Sequence, residues 1–232
     1  MQKVLIFSAL YIFLSFTAAC SLQNPPEELP PGSPVVSDDT VRIVDTLDYL
    51  ALGDSYTIGQ GVNFDDRFPV QLVNQLRSAG VMIADPVFIA RTGWTTTQLK
   101  TAIAQTQLKP GYDLVSLLIG VNNQYQKKNI EIYRQEFREL LETALSLAGG
   151  DASRVIVLSI PDYAYTPFGR TSNSAKTSQE IDLYNAINLG ITKEYNIAYF
   201  DITPISREGL DDPALIAGDQ LHPSGKMYSR WV

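Results

Sequence analysis

Short runs of apolar residues recur along the chain from position 47 onward, each separated from the next by a longer stretch richer in polar residues. The runs at 114–119 and 155–160 are almost entirely apolar, as expected of strands that are buried on both faces of a sheet. The pattern predicts five strands, over 47–52, 87–90, 114–119, 155–160 and 197–200.

The stretches between these runs show the spacing of amphipathic helices. In the first of them, Phe68, Leu72 and Leu76 fall on one helical face. Gly149 and Gly150 provide a stop signal after the longest stretch. Helices are predicted over 68–76, 95–105, 130–148 and 178–195.

Strand and helix therefore alternate about five times, which predicts an α/β fold with a parallel sheet covered by helices on both faces. Right-handed crossovers make this a three-layer α/β/α sandwich of about five parallel strands. In such sheets, binding sites form beyond the carboxyl ends of the strands. The segments expected there are 53–61, 91–97, 120–126, 161–174 and the stretch after Asp201.

The N-terminus has a different pattern, which is typical of a secretory signal at 1–19. Lys3 precedes an apolar run that ends in small residues at 17–19, and Cys20 follows directly. This arrangement resembles the lipobox of bacterial lipoproteins, in which the cysteine becomes the lipidated N-terminus, although Thr17 stands where that motif usually has Leu. We therefore expect lipidation at Cys20 and a membrane-anchored protein of the cell envelope; the alternative is an ordinary signal peptide whose cysteine is incidental.

The next segment, 20–46, is rich in proline and acidic residues. Proline stiffens and extends a chain, and like charges repel one another. We interpret this segment as a tether that holds the domain at 47–232 away from the membrane. The alternative is a strand packed on the domain. Its prolines are Pro25, Pro26, Pro30, Pro31 and Pro34.

Composition excludes several classes of function. The formal net charge of −7 and the absence of a basic run argue against a nucleic-acid partner. Hydrophobic residues make up 45% of the chain, as in a globular protein. One Cys and one His allow no internal disulfide and no common transition-metal site, so we expect no metal and no cofactor. We also expect a monomer.

The first candidate for chemistry is Ser55, in Gly53-Asp54-Ser55-Tyr56. A serine just beyond a buried strand presents its hydroxyl at the edge of the sheet, and the preceding glycine permits a tight turn. The alternative is an ordinary turn. The Gly-x-Ser-x-Gly motif of the α/β-hydrolases is absent, because Thr57 occupies its last position.

The second candidate is His222, the only histidine in the chain. A serine nucleophile needs a base, for which imidazole is the side chain best suited at neutral pH. The imidazole needs an acceptor on its other nitrogen, and Asp219, three residues earlier, can reach it. The alternative is a surface histidine or a satisfied core histidine.

Two further loops supply candidate donors for an oxyanion hole. Gly93 follows the second predicted strand, and its N–H can approach a ligand closely. Asn122 follows the third, and its amide is a neutral donor. The alternatives are a turn at Gly93 and a helix cap at Asn122.

Taken together, these loops resemble the four blocks of the SGNH hydrolases, also called the GDSL esterase/lipase family. The resemblance spans roughly 49–222. The matching blocks are Gly53-Asp54-Ser55, Gly93, Gly120-Val121-Asn122-Asn123 and Asp219-Gln220-Leu221-His222.

The resemblance implies a flavodoxin-like sandwich in which Ser55 is the nucleophile, His222 the base and Asp219 its orienting partner. It also implies an oxyanion hole formed by Ser55 N–H, Gly93 N–H and the Asn122 side chain. Asn123 stands where the family often has Asp, which affects mainly the support of that loop. The chain stops ten residues after His222, so we expect the C-terminal helix to be short or truncated.

The substrate implied is a carboxylic ester, such as an O-acetylated carbohydrate or a short acyl ester. Aromatic residues on the active-edge loops are candidates for binding it, by stacking on sugar rings or lining an acyl groove, although they can equally pack the loops. A non-catalytic binding lipoprotein and an acyltransferase remain alternatives. The candidate aromatic residues are Trp94, Tyr125, Tyr163, Tyr165 and Phe168.

Overall fold

The structure, a computed structural model, describes residues 46–170 and 173–232. The predicted signal peptide at 1–19, the predicted lipidation site Cys20 and nearly all of the predicted tether at 20–46 lie outside the described residues. Within the described residues, no helix is both long enough and apolar enough to cross a membrane.

Five parallel strands form one sheet in the order β2-β1-β3-β4-β5. This order is that of flavodoxin-like folds. The predicted α/β class and the five parallel strands are therefore confirmed. The strands are β1 (Tyr49–Gly53), β2 (Val87–Ala90), β3 (Leu114–Leu118), β4 (Val155–Leu158) and β5 (Ala198–Phe200).

Helices connect successive strands, and the four predicted ones are all present. Three short helices, α1, α4 and α7, were not predicted, because a helix of four or five residues has no periodicity to detect. The helices are α1 (Ser55–Ile58), α2 (Phe68–Ser78), α3 (Thr96–Gln105), α4 (Val121–Tyr125), α5 (Ile130–Leu147), α6 (Ser174–Glu194), α7 (Thr203–Ser206) and α8 (Gly225–Tyr228).

The central strand β1 shows how the layers form. Successive side chains of a strand point to opposite faces. Leu50 and Leu52 enter a large apolar cluster that includes residues of α3, α5 and α6. Tyr49 and Ala51 enter a smaller cluster with Val73 of α2. All five residues of β1 are buried, which fixes the strand that ends two residues before Ser55.

The C-terminal segment packs back on the domain. Helix α8 has only four residues. Beyond it, the ring of Trp231 lies 4.8 Å from that of Tyr228 and 5.8 Å from that of Phe68, measured between centroids. The Tyr228 hydroxyl donates to the carbonyl oxygen of Tyr56 at 2.9 Å. This segment thus supports the turn that carries Ser55.

Candidate active site

Ser55 is the first residue of α1 and directly follows β1. Asp54 caps this helix, since its Oδ1 accepts the Tyr56 N–H at 3.0 Å. A side chain at Gly53 would place Cβ 2.0 Å from the Thr57 hydroxyl and 2.4 Å from the Leu118 carbonyl oxygen, so only glycine fits. The sequence Gly-Asp-Ser therefore builds a tight, buried turn that presents one hydroxyl.

The imidazole of His222 is held by Asp219. Its Nδ1 lies 2.7 Å from Asp219 Oδ2, and a ring nitrogen beside a carboxylate is assigned as the N–H donor. Asp219 Oδ1 accepts the backbone N–H groups of Leu221 and His222, both at 3.0 Å. With Nδ1 bonded in this way, the free nitrogen of the ring is Nε2, which is the atom a general base needs.

These contacts also set the charge state of Asp219. Partial burial works against ionisation, but the hydrogen bonds from the His222 backbone, the His222 ring and the Leu221 backbone outweigh it. The pKa of Asp219 is therefore lowered. The carboxylate remains ionised and can stabilise an imidazolium at His222.

Ser55 and His222 both line one cavity of about 200 Å³. The imidazole makes its hydrogen bond to Asp219, and none in the described structure joins it to Ser55 Oγ. Such contacts are often long in a ligand-free enzyme and shorten when substrate binds. The ring of Tyr56 lies 5.2 Å from that of His222 and packs beside it.

Two candidate oxyanion donors line the same cavity. Gly93 has a φ of 82°, and a Cβ there would meet no atom within 4 Å, so its backbone faces open space. Asn122 lies within α4, and its Nδ2 donates to the Trp94 carbonyl oxygen at 3.0 Å. The same nitrogen lies 3.5 Å from Asp54 Oδ2, a long contact.

Asn123 joins two of these loops. Its Oδ1 accepts the Thr96 N–H at 3.0 Å, and its Nδ2 donates to the Thr96 hydroxyl at 2.7 Å. The segment after β2 and the segment after β3 are therefore tied together beneath Gly93 and Asn122. The asparagine supports the loop although many relatives of the resembled family have Asp there.

The five candidate aromatic residues divide into two groups. Tyr125, Tyr163 and Phe168 line the cavity with Ser55 and His222. Trp94 instead packs half-buried against the main core. Tyr165 lies outside the cavity wall, 5.9 Å from the Arg207 guanidinium.

Sequence reasoning missed several residues around the site. Gly61 has a φ of 85°, and a Cβ there would lie 3.0 Å from Asp219 Oδ2. Asp54 was quoted only as part of a motif, yet it is fully buried, and burial raises its pKa to about 7 against the weaker effect of its hydrogen bonds. Asp162, also fully buried, supports the loop that carries Tyr163. In the sequence, Gly61 stands eight residues after Gly53. This position indicated no function until the fold placed Gly61 beside Asp219.

Comparison with known proteins agrees with this geometry. The sequence model of the GDSL-like lipase/acylhydrolase family matches residues 51–230. No curated protein matches the chain in sequence.

Several solved structures share the fold. An acetylxylan esterase, Axe2 from Geobacillus stearothermophilus, has a TM-score of 0.61 at 22% identity, over 80% of this chain and 91% of that one. TesA has a TM-score of 0.59 at 14% identity, over 79% and 93%. The hydrolase LAE5, from the metagenome of Lake Arreo in Spain, has a TM-score of 0.58 at 17% identity, over 80% and 92%. At these identities the likeness is one of fold.

Proposed function

Because the chain belongs to the GDSL-like lipase/acylhydrolase family, and is thus a carboxylic ester hydrolase, we propose that it acts through Ser55 as nucleophile, His222 as base and Asp219 as orienting carboxylate. The observation that carries this proposal is the cavity shared by Ser55 and His222. At that cavity, the imidazole is already fixed at 2.7 Å from Asp219.

In the first half of the reaction, Ser55 Oγ forms a bond to the ester carbonyl carbon while its proton passes to His222 Nε2. The carbonyl π electrons move to the oxygen, which becomes an oxyanion. When this intermediate collapses, the bond to the alcohol oxygen breaks and that oxygen takes the proton from His222. Water then attacks the acyl-serine carbonyl and passes a proton to His222. The bond between the acyl carbon and Ser55 Oγ breaks, Oγ takes the proton back from His222, and the acid leaves.

The oxyanion is bound by the N–H groups of Ser55 and Gly93 and by Asn122 Nδ2. The bond from Asn122 to the Trp94 carbonyl oxygen uses one amide hydrogen and fixes the group. The other hydrogen makes only the long contact to Asp54 and is therefore available to bind the oxyanion. A donor aimed at the developing charge contributes about 3 kcal/mol to transition-state stabilisation.

The substrates we propose are O-acetylated carbohydrates or short acyl esters. A cavity of about 200 Å³ suits a small acyl group, and Tyr125, Tyr163 and Phe168 give it a largely apolar wall. The acetylxylan esterases that share the fold act, by name, on an acetylated polysaccharide, which supports the first class.

The test of this proposal is Ser55→Ala. We expect the turnover of a small aryl ester to fall at least about 10⁴-fold, because the nucleophile is lost. A fluorophosphonate probe should label the wild type and not the variant. Ser78→Ala, which removes an exposed serine hydroxyl on α2, is the matched control and should keep both activity and labelling.

Each outcome separates the candidate functions. Turnover by Ser55→Ala at the wild-type rate would refute the mechanism. A wild type that binds esters but is neither labelled nor active would be the non-catalytic binding protein. Ester formation with an added sugar alcohol, faster than release of acid, would identify an acyltransferase.

A further inference from the structure

A second cleft, of about 370 Å³, lies beside the first cavity and shares three of its wall residues. These are Tyr125, Tyr163 and Phe168, which we call the aromatic ridge. The first cavity is mostly apolar on its other sides. The second cleft is polar there, with side chains from α4 and from the first two turns of α6.

Two of the three residues of the aromatic ridge are exposed, and Tyr163 is half-buried. Tyr125 is 56% exposed and Phe168 is 49% exposed. The ring of Tyr125 lies 6.0 Å from that of Tyr163 and 6.4 Å from that of Phe168, so the rings form one surface. Contiguous exposed aromatic faces at the rim of a site are typical of ligand contact.

The floor of the second cleft is held by a chain of hydrogen bonds that begins at the ridge. The Tyr163 hydroxyl donates to Gln124 Oε1 at 2.9 Å, and Gln124 Nε2 donates to Glu180 Oε2 at 2.7 Å. Gln124 is buried. The two hydrogen bonds occupy its amide oxygen and its amide nitrogen and so fix the side chain. The Glu180 carboxylate is therefore held in place, and its other oxygen, Oε1, lies 3.8 Å from the Lys176 ammonium.

The chemistry of the second cleft matches a hydroxyl-rich ligand. Lys127 and Lys176 only donate hydrogen bonds, Glu180 only accepts, and Thr177 does both. A hydroxyl group needs a donor and an acceptor together. An acyl chain would leave these groups unpaired. The apolar faces of a sugar ring suit the aromatic ridge.

We propose that the second cleft binds the alcohol half of the ester and that this half is a saccharide. The inference rests on the proposed function, because it takes Ser55 to attack the ester carbonyl in the first cavity. The acyl group then lies in the first cavity, and the sugar crosses the aromatic ridge so that its hydroxyls meet Glu180 and Lys176.

The test compares two substrates, an O-acetylated disaccharide and 4-nitrophenyl acetate, which has no sugar. In Glu180→Ala, we expect the ratio of kcat/KM for the disaccharide to that for the aryl ester to fall about tenfold, mainly through KM. Glu180→Gln keeps an acceptor and should recover part of this ratio. Lys176→Ala tests a second charged group of the cleft. Its control is Lys193→Ala, which removes an exposed lysine from the same helix and should leave the ratio within about twofold of wild type.

Binding without turnover gives a second readout. The Ser55→Ala protein should bind the O-acetylated disaccharide in calorimetry, and adding Glu180→Ala should weaken that binding about tenfold. An unchanged ratio in both Glu180→Ala and Lys176→Ala would overturn the saccharide inference and leave the mechanism intact. Undiminished hydrolysis of both esters by Ser55→Ala would overturn the proposed function itself.

Discussion

Two buried aspartates stand at the carboxyl edge of the sheet and invite comparison. Asp54 follows β1 and accepts the N–H of Tyr56 at 3.0 Å. Asp162 lies beyond β4 and accepts the N–H of Ala164, also at 3.0 Å. Both are fully buried, and each caps a short helical turn. One turn presents the nucleophile, and the other presents Tyr163 of the aromatic ridge.

The difference lies in the second carboxylate oxygen. Asp162 Oδ2 accepts the Ser178 hydroxyl at 2.6 Å and the Arg207 Nε–H at 3.0 Å. Asp54 Oδ2 makes a long contact to the Asn122 amide, and no cation among the described residues pairs with Asp54. A buried carboxylate with a cation is compensated, whereas one without a cation favours the neutral form. The structural turn is therefore electrostatically satisfied, and the turn beside the nucleophile is not.

The largest expected effect of this difference is on the pH dependence of stability. In the unfolded chain Asp54 titrates near its ordinary value of 3.8, but in the fold its pKa is about 7. Between these values the folded state keeps the proton that the unfolded state has lost. The contribution of Asp54 to the free energy of unfolding therefore falls as pH rises through this window and stays constant above it. The total fall is about 4 kcal/mol.

Asp54→Asn isolates this contribution, because the amide oxygen can still accept the Tyr56 N–H. We expect the free energy of unfolding of the variant, relative to wild type, to rise by about 3 kcal/mol from about pH 5 to about pH 8.5. Urea unfolding at the two pH values measures it. A difference between variant and wild type that is the same at both would show that Asp54 titrates normally.

The sheet was predictable from sequence, and the two turns were predictable only in part. Buried strands are marked by apolar runs that report local burial on both faces, so β3 was predicted to within one residue of its observed bounds. Helix α6 begins four residues earlier than its pattern indicates, because Ser174 and the residues after it have no apolar face to detect.

The site was predictable where it uses a residue type that is rare in this sequence. One histidine with an aspartate three residues away is conspicuous, and the structure joins them. The partnership of Asp162 with Arg207 was not predictable, because 45 positions separate them and only the fold brings them together. Trp94 and Tyr125 both lie at the active edge, but the course of each loop turns Trp94 to the core and Tyr125 to the cavity.

A smaller effect is expected from removing the cation at the second turn. Arg207→Ala leaves Asp162 buried without its ion pair, and we expect a loss of about 2 to 3 kcal/mol in the free energy of unfolding at neutral pH. The value lies at the low end because the Arg207 side chain is 31% exposed. The matched control is Arg138→Ala, which removes an exposed pair with Glu194 and should lower the free energy of unfolding much less. Equal losses in the two variants would mean that the cation at Asp162 does no more than a surface ion pair.

The smallest expected effect concerns the hydroxyl groups that support each turn from elsewhere in the chain. Tyr228→Phe keeps the buried ring but removes the hydrogen bond to the Tyr56 carbonyl oxygen, and Ser206→Ala removes the acceptor of the Asp162 N–H, which lies 2.8 Å away. Each should lower the free energy of unfolding by about 1 kcal/mol, since each leaves one buried backbone group unpaired.

Turnover should separate the two variants: kcat for a small aryl ester should fall severalfold in Tyr228→Phe, because Tyr56 is bonded directly to Ser55, and should change little in Ser206→Ala. If kcat fell equally in both, the turn that presents Ser55 and the turn that presents Tyr163 would have to be regarded as one cooperative unit, and the contrast between the two aspartates would concern stability alone.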